Sequence, residues 1–193
     1  MKQTVGRWSV ISGMILVAAL SRLLPHPPNF TPVGAMALFG GAVFASPWVG
    51  AAVPLAAMAL SDVLLGLFVY KYGLWHNGMP FVYVSLLLIV GLGRLIRRRT
   101  RPVNIAAAAV TGSVLFFLIT NFGVWLNGCL SSNPVYPPTA AGLLACYVAA
   151  LPFFGYTLGG DLLYASLLFG GWALLLRQFP ALGGWQASPV VAR

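Results

Sequence analysis

Glutamate is absent from this chain, and Asp62 and Asp161 are its only acidic residues. Two histidines (His26, His76) and two cysteines (Cys129, Cys146) complete a short supply of side chains for acid–base, nucleophilic or metal chemistry. These shortages remove whole classes of function. Membrane metalloproteases that rely on glutamate are excluded. No serine stands in a Gly-x-Ser frame, which removes a rhomboid-like protease. The histidines form no His-x-x-x-His pair, and the cysteines have neither metal-ligand spacing nor the density of a disulfide framework. No phosphate-cradling P-loop is present, so ATP-driven work would need a separate subunit. The residues predict a protein that is not an enzyme and has no intrinsic cofactor.

Charge is scarce as well. Only 7% of the 193 residues are charged and 60% are hydrophobic, with a mean hydropathy of +0.90. That composition predicts a polytopic membrane protein, a single integral domain over residues 1–193. The net charge of +9 would suit nucleic acid, but its distribution argues against that partner. Arg94, Arg97, Arg98, Arg99 and Arg101 cluster between two apolar runs, where basic groups mark the cytoplasmic side. Lys2 and Arg7 before an apolar run resemble a signal peptide; with several further runs downstream, an uncleaved first helix is expected.

Apolar runs fall at 8–24, 33–45, 48–69, 79–96, 104–126, 139–153 and 157–176. The second would rise roughly 20 Å as a helix, less than the roughly 30 Å hydrocarbon core. The sixth is also short and carries Pro152 at its end. With the N-terminus cytoplasmic and 139–153 a partial helix on the outer side, nine of the eleven cations lie inside. Only Arg22 and Lys71 then face out; a seventh full span would leave seven inside and four outside. The expected fold is therefore an all-α membrane protein with six transmembrane helices plus a short partial helix before the last span. Both termini are expected on the cytoplasmic side of a bacterial inner membrane.

In that arrangement the connections at 25–32, 70–78 and 127–138 share the outer face and carry most of the polar and aromatic groups. The first holds Pro25, Pro27, Pro28 and Pro32 with His26, Asn29 and Phe30, a stiff, extended loop able to hold those groups in place. The second contributes Trp75 and His76, and Tyr83 follows near the outer end of the next helix. Asp62 and Asp161 both fall in the outer halves of apolar runs, where a charge is costly unless it faces water, a partner or the bundle interior. Their convergence predicts a polar cavity open to the outside. Two structural readings stand beside it: Asp62 as an acceptor for Arg22 or backbone, and Asp161 as the complement of a helix N-terminus. Asn121 and Trp125, four residues apart, share one helix face and offer an amide and a stacking surface. Small residues at Ala37, Gly41 and Ala45 suit close helix packing, either inside the bundle or against another protein.

The chain reads Arg22-Leu-Leu-Pro-His-Pro-Pro-Asn-Phe-Thr-Pro-Val-Gly34, then Ser61-Asp62, Asn121-Phe-Gly-Val-Trp125 and Leu151-Pro-Phe-Phe-Gly155. Over essentially its whole length it resembles the substrate-binding S components of energy-coupling factor (ECF) vitamin transporters. It is most similar to uncharacterised membrane transport proteins sharing the Arg-Leu-Leu-Pro-His-Pro-Pro-Asn-Phe-Thr-Pro opening. The resemblance implies a six-helix bundle with a ligand cavity under the outer loops, importing a vitamin-like micronutrient, with cobalamin the leading candidate. It also implies a partnership with a membrane coupling protein and ATPases, docked on the Ala37, Gly41 and Ala45 face, or solitary action. His26 falls where a solitary cobalamin transporter places a cobalt ligand, although the 70–83 stretch lacks the accompanying cysteine. The expected lining is His26, Asn29, Phe30, Asp62, Trp75, His76, Tyr83, Asn121, Trp125 and Asp161. Two other classes fit the same residues: a proton-coupled secondary transporter using Asp62, and a non-transporting assembly or scaffold protein.

Overall fold

Prolines and hydroxyl caps mark where the helices begin. Pro47 and Pro102 open two of them and Pro80 sits in the first turn of a third, positions where the missing N–H has no intrahelical partner to lose. Ser46 and Thr139 cap two starts, accepting hydrogen bonds from Val49 N (3.4 Å) and Gly142 N (3.2 Å). The computed structural model describes residues 2–70, 77–131 and 134–183. Its helices are α1 (Lys2–Leu20), α2 (Val33–Val43), α3 (Pro47–Leu64), α4 (Met79–Ile96), α5 (Pro102–Cys129) and α6 (Ala140–Gln178). A 3₁₀ turn, Ser21–Leu23, follows α1; a π-helical stretch, Leu65–Tyr70, continues α3; a 3₁₀ turn, Pro180–Gly183, follows α6.

Four of these helices are long and apolar enough to cross a membrane: α3 with its extension to Phe68, α4, α5 and α6. The protein is thus a helical membrane protein. Two expected elements differ. The 139–153 run and the last span are not separate, because α6 passes through Pro152 without interruption for 39 residues. At about 1.5 Å per residue it is far longer than the hydrocarbon core is thick. Proline removes one helical hydrogen bond, a loss membrane helices tolerate where neighbours support them. Here α5 gives that support: Tyr147 Oη donates to Leu118 O (2.8 Å), and Phe117 packs between Tyr147 and Phe154. The second difference is α2. Its 11 residues reach only about half-way across a bilayer.

A helix that is apolar on every side belongs inside, and α2 is the core of the molecule. Ten of its 11 residues are buried, with Met36, Ala37, Leu38 and Phe39 fully enclosed. Phe39 meets Phe169 of α6 edge-on at 5.1 Å. Glycine permits the closest approaches. Gly41 lies against the Val90 backbone of α4, Gly93 of α4 against the Leu38 backbone, and Gly50 of α3 against Gly40. The small-residue face expected at Ala37, Gly41 and Ala45 to dock another protein is therefore largely consumed within the bundle. Ala37 and Gly41 are buried; Ala45 is exposed, and its carbonyl is bound by arginines. Close backbone contact between helices outcompetes external docking because small residues are needed wherever α2 crosses its neighbours.

Burying a half-helix leaves its terminal carbonyls without intrahelical partners. Three arginines take them up. Arg7 donates to Val43 O (3.2 Å), Arg94 to Phe44 O (2.9 Å) and Ala45 O (3.1 Å), and Arg97 to Ala45 O (3.0 Å). Cations at a helix C-terminus also complement its dipole. Burial first, then the charges of Arg94 and Arg98, pull the Arg97 guanidinium below its usual pKa, which arginine's high starting value absorbs. Replacing Arg94 with methionine keeps much of the aliphatic stem and removes two of these bonds. It is expected to cost about 1–2 kcal/mol, read as a lower thermal midpoint in detergent by tryptophan fluorescence. An unchanged midpoint would leave the arginine cluster with a purely topological role.

Candidate functional site

Beyond the 3₁₀ turn Ser21–Leu23, the proline-rich connection to α2 is non-helical, as its prolines require, and it turns sharply at Asn29. Asn29 has φ of 65°, the left-handed region that asparagine tolerates better than most residues. Phe30 N donates to Pro27 O (3.1 Å) and Thr31 N to Asn29 O (3.0 Å), fixing the turn. The chain then passes directly over Gly160 of α6, where a Cβ would stand 3.0 Å from Thr31 N. Gly160 is what lets the connection lie this close to the middle of α6.

Below that turn lies a cavity of about 190 Å³ at the N-terminal end of α2. Arg22, Asn29 and Thr31 reach it from the connection, Val33 and Gly34 from α2, and Met58 and Asp62 from α3. Met79 and Val82 of α4, Phe116 of α5, and Thr157 and Asp161 of α6 complete the wall. Both acidic residues therefore border one space.

Arg22 and Asp62 form an ion pair, Nη1 to Oδ1, at 2.8 Å, and the two side chains are only 12% and 17% exposed. The same Nη1 donates to Ser61 Oγ, which donates in turn to Met58 O (2.8 Å). Arg22 Nε is buried with no protein partner. Asp161 is 4% exposed. Its Oδ1 accepts from Ala35 N (3.2 Å) and its Oδ2 from Ser113 Oγ (2.7 Å). The first bond satisfies one of the orphan N–H groups at the start of α2. A carboxylate thus complements a helix N-terminus, but the helix is α2 rather than the one that carries Asp161. Gly34 is the residue that makes room, since a Cβ there would stand 2.8 Å from Oδ2.

The other expected lining residues are distributed differently. His26 turns Nδ1 to Leu24 O of its own loop (2.6 Å) and does not border the cavity. Phe30 packs on Tyr164 and over Gly159, sealing the seam beside α6. Tyr83 lies within electrostatic reach of Asp62 and Arg22 without forming part of the wall. Asn121 and Trp125 brace α5 against the first turns of α6 and the connection before it. Asn121 donates to Phe117 O (2.8 Å), its own carbonyl accepts from Cys146 Sγ (3.5 Å), and Trp125 Nε1 donates to Pro137 O (3.1 Å). Trp75 and His76 lie outside the described residues. No group of three potential metal ligands occurs among the described residues.

Sequence reasoning placed Arg22 on the outer surface and left Thr31, Ser113 and Thr157 unremarked. Arg22 carried a signal: it is the only arginine between Arg7 and the Arg94–Arg101 cluster. Ser113 carried none, because a serine in a long apolar helix looks the same whether it faces a carboxylate or its own backbone.

No curated protein and no solved structure matches the chain. Over residues 2–182 the sequence fits the profile of a family of unknown function (DUF6580), and the chain belongs to that family.

Proposed function

We propose that this protein is the solute-binding membrane subunit of an importer, or a solitary transporter, and that it takes a small polar micronutrient into the Arg22–Asp62 cavity. One observation carries the reading: three ionisable side chains, Arg22, Asp62 and Asp161, border a single cavity among apolar helices. Ionisable groups at such depth are expensive and mark solute or ion pathways. The volume, about 190 Å³, lies below the roughly 300–1,000 Å³ of drug-sized ligand pockets and favours a solute much smaller than a corrinoid. His26, engaged with Leu24 O, gives little support for cobalt ligation. Energised import through an S-component-like chain would draw on a coupling protein and ATPases, docking on a surface other than Ala37 and Gly41.

Mass spectrometry of solutes extracted from the purified protein tests this reading. A small solute near one equivalent, lost in an Arg22→Ala, Asp62→Asn double variant that still elutes as a folded species, is the expected result. A visible corrinoid band is not expected. A chain that yields no solute but a tightly held protein partner would be a scaffold instead.

A proton-coupled secondary transporter is a second reading, favoured by Asp161. No cation pairs with this buried carboxylate among the described residues. Its hydrogen bonds also suit the protonated acid: Oδ2–H would donate to Ser113 Oγ, freeing the hydroxyl to donate to Ala109 O (3.0 Å).

A further inference from the structure

We propose that the cavity recognises a small zwitterion, with its carboxylate on the open edge of Arg22 and its ammonium on Asp62. The inference rests on the solute-site reading and names the class of solute. A guanidinium has five N–H donors in a rigid fork. Arg22 directs Nη1 at both Ser61 and Asp62 and makes no other hydrogen bond among the described residues. Its Nε is buried without a protein partner. The Nε–Nη2 edge that pairs side-on with a carboxylate is therefore uncommitted among the described residues, and Arg22 borders the cavity. Asp62 mirrors this: Oδ1 holds Arg22, while Oδ2 accepts no hydrogen bond among the described residues.

Charge balance selects the zwitterion. A lone anion would approach Arg22 but face its partner Asp62, and a lone cation would approach Asp62 but face Arg22. A molecule carrying both charges matches the pair and brings no net charge among the apolar helices. Size sets the rest. A cavity of about 190 Å³ lies below the roughly 300–1,000 Å³ of drug-sized ligand pockets, so solutes on the scale of a small amino acid fit. Apolar Met58, Met79, Val82 and Phe116 would enclose the carbon skeleton.

Isothermal titration calorimetry on the purified full chain decides the matter, with L-alanine, γ-aminobutyrate, propionate, propylamine and 1-propanol as probes. At least one zwitterion is expected to bind, at least about tenfold more tightly than the three probes that lack one or both charges. That binding should disappear in Thr157→Phe, which fills the cavity from α6 without touching the ion pair, and in Arg22→Gln. Thr157→Phe keeps the test valid if Arg22→Gln fails to fold. Equal or tighter binding of propionate, propylamine or propanol, still abolished by Thr157→Phe, would overturn the zwitterion and leave the solute site standing. No binding by any probe, or binding indifferent to Thr157→Phe, would overturn both.

Discussion

Asp161→Ala is expected to destabilise the bundle by about 2–3 kcal/mol, because it strips the buried start of α2 of its acceptor. The Ala35 N–H would be left enclosed with nothing to bind, and Ser113 would fall back on Ala109 O. The conservative variant should behave differently. In Asp161→Asn the amide oxygen can still accept from Ala35 N, and the amide nitrogen can donate to Ser113 Oγ, whose hydroxyl then serves Ala109. A loss of under about 1 kcal/mol is expected there. Thermal unfolding in detergent, followed by tryptophan fluorescence, compares the two. Equal midpoints for the alanine and asparagine variants would mean that Asp161 does not hold the helix start. The comparison also bears on function, because an asparagine that preserves the fold but abolishes pH-driven uptake in vesicles would single out the proton-coupled mode.

Gly93→Ala is expected to cost about 3 kcal/mol, since the added carbon would be driven into the Leu38 carbonyl and the Ala42 nitrogen. Those are backbone atoms of a buried helix, so they cannot rotate away as a side-chain tip would. Gly41→Ala should cost a similar amount against Val90 of α4. Gly91 is the internal control. It lies two residues from Gly93 on the same helix, and nothing stands within 4 Å of a Cβ placed there. Gly91→Ala should therefore be neutral, or stabilising by up to about 1 kcal/mol through helix propensity. If Gly93→Ala unfolds no earlier than Gly91→Ala, the close crossing of α2 and α4 is wrong.

The membrane class, the helical architecture and most helix starts were legible in the residues themselves. They depend on composition, on prolines and on capping hydroxyls, all of which act locally. The shared border of Asp62 and Asp161 was also legible, since isolated acids in apolar runs have few places to go. Asn121 and Trp125 bond carbonyls and stand outside the cavity wall, an outcome their types leave open, because an amide and an indole on one helix face serve a ligand or a neighbouring carbonyl equally well. The 139–153 run misled for a related reason. Pro152 is a local break signal, and only the support of Tyr147, Phe117 and Phe154 shows that α6 carries through it.

Local chemistry by itself determined that this chain lives in a membrane as helices, with five arginines clustered between two apolar runs and its two acids among apolar residues. Tertiary structure alone decided what those charges hold. Asp161 at one end of α2, and Arg7, Arg94 and Arg97 at the other, clamp a half-length helix that could not otherwise be buried. Arg22 and Asp62, 40 residues apart in the sequence, become a pair facing one cavity. The sequence offers such pairings as alternatives but does not choose among them, because the energy of a buried charge depends on which partner the fold delivers to it and not on its neighbours in sequence.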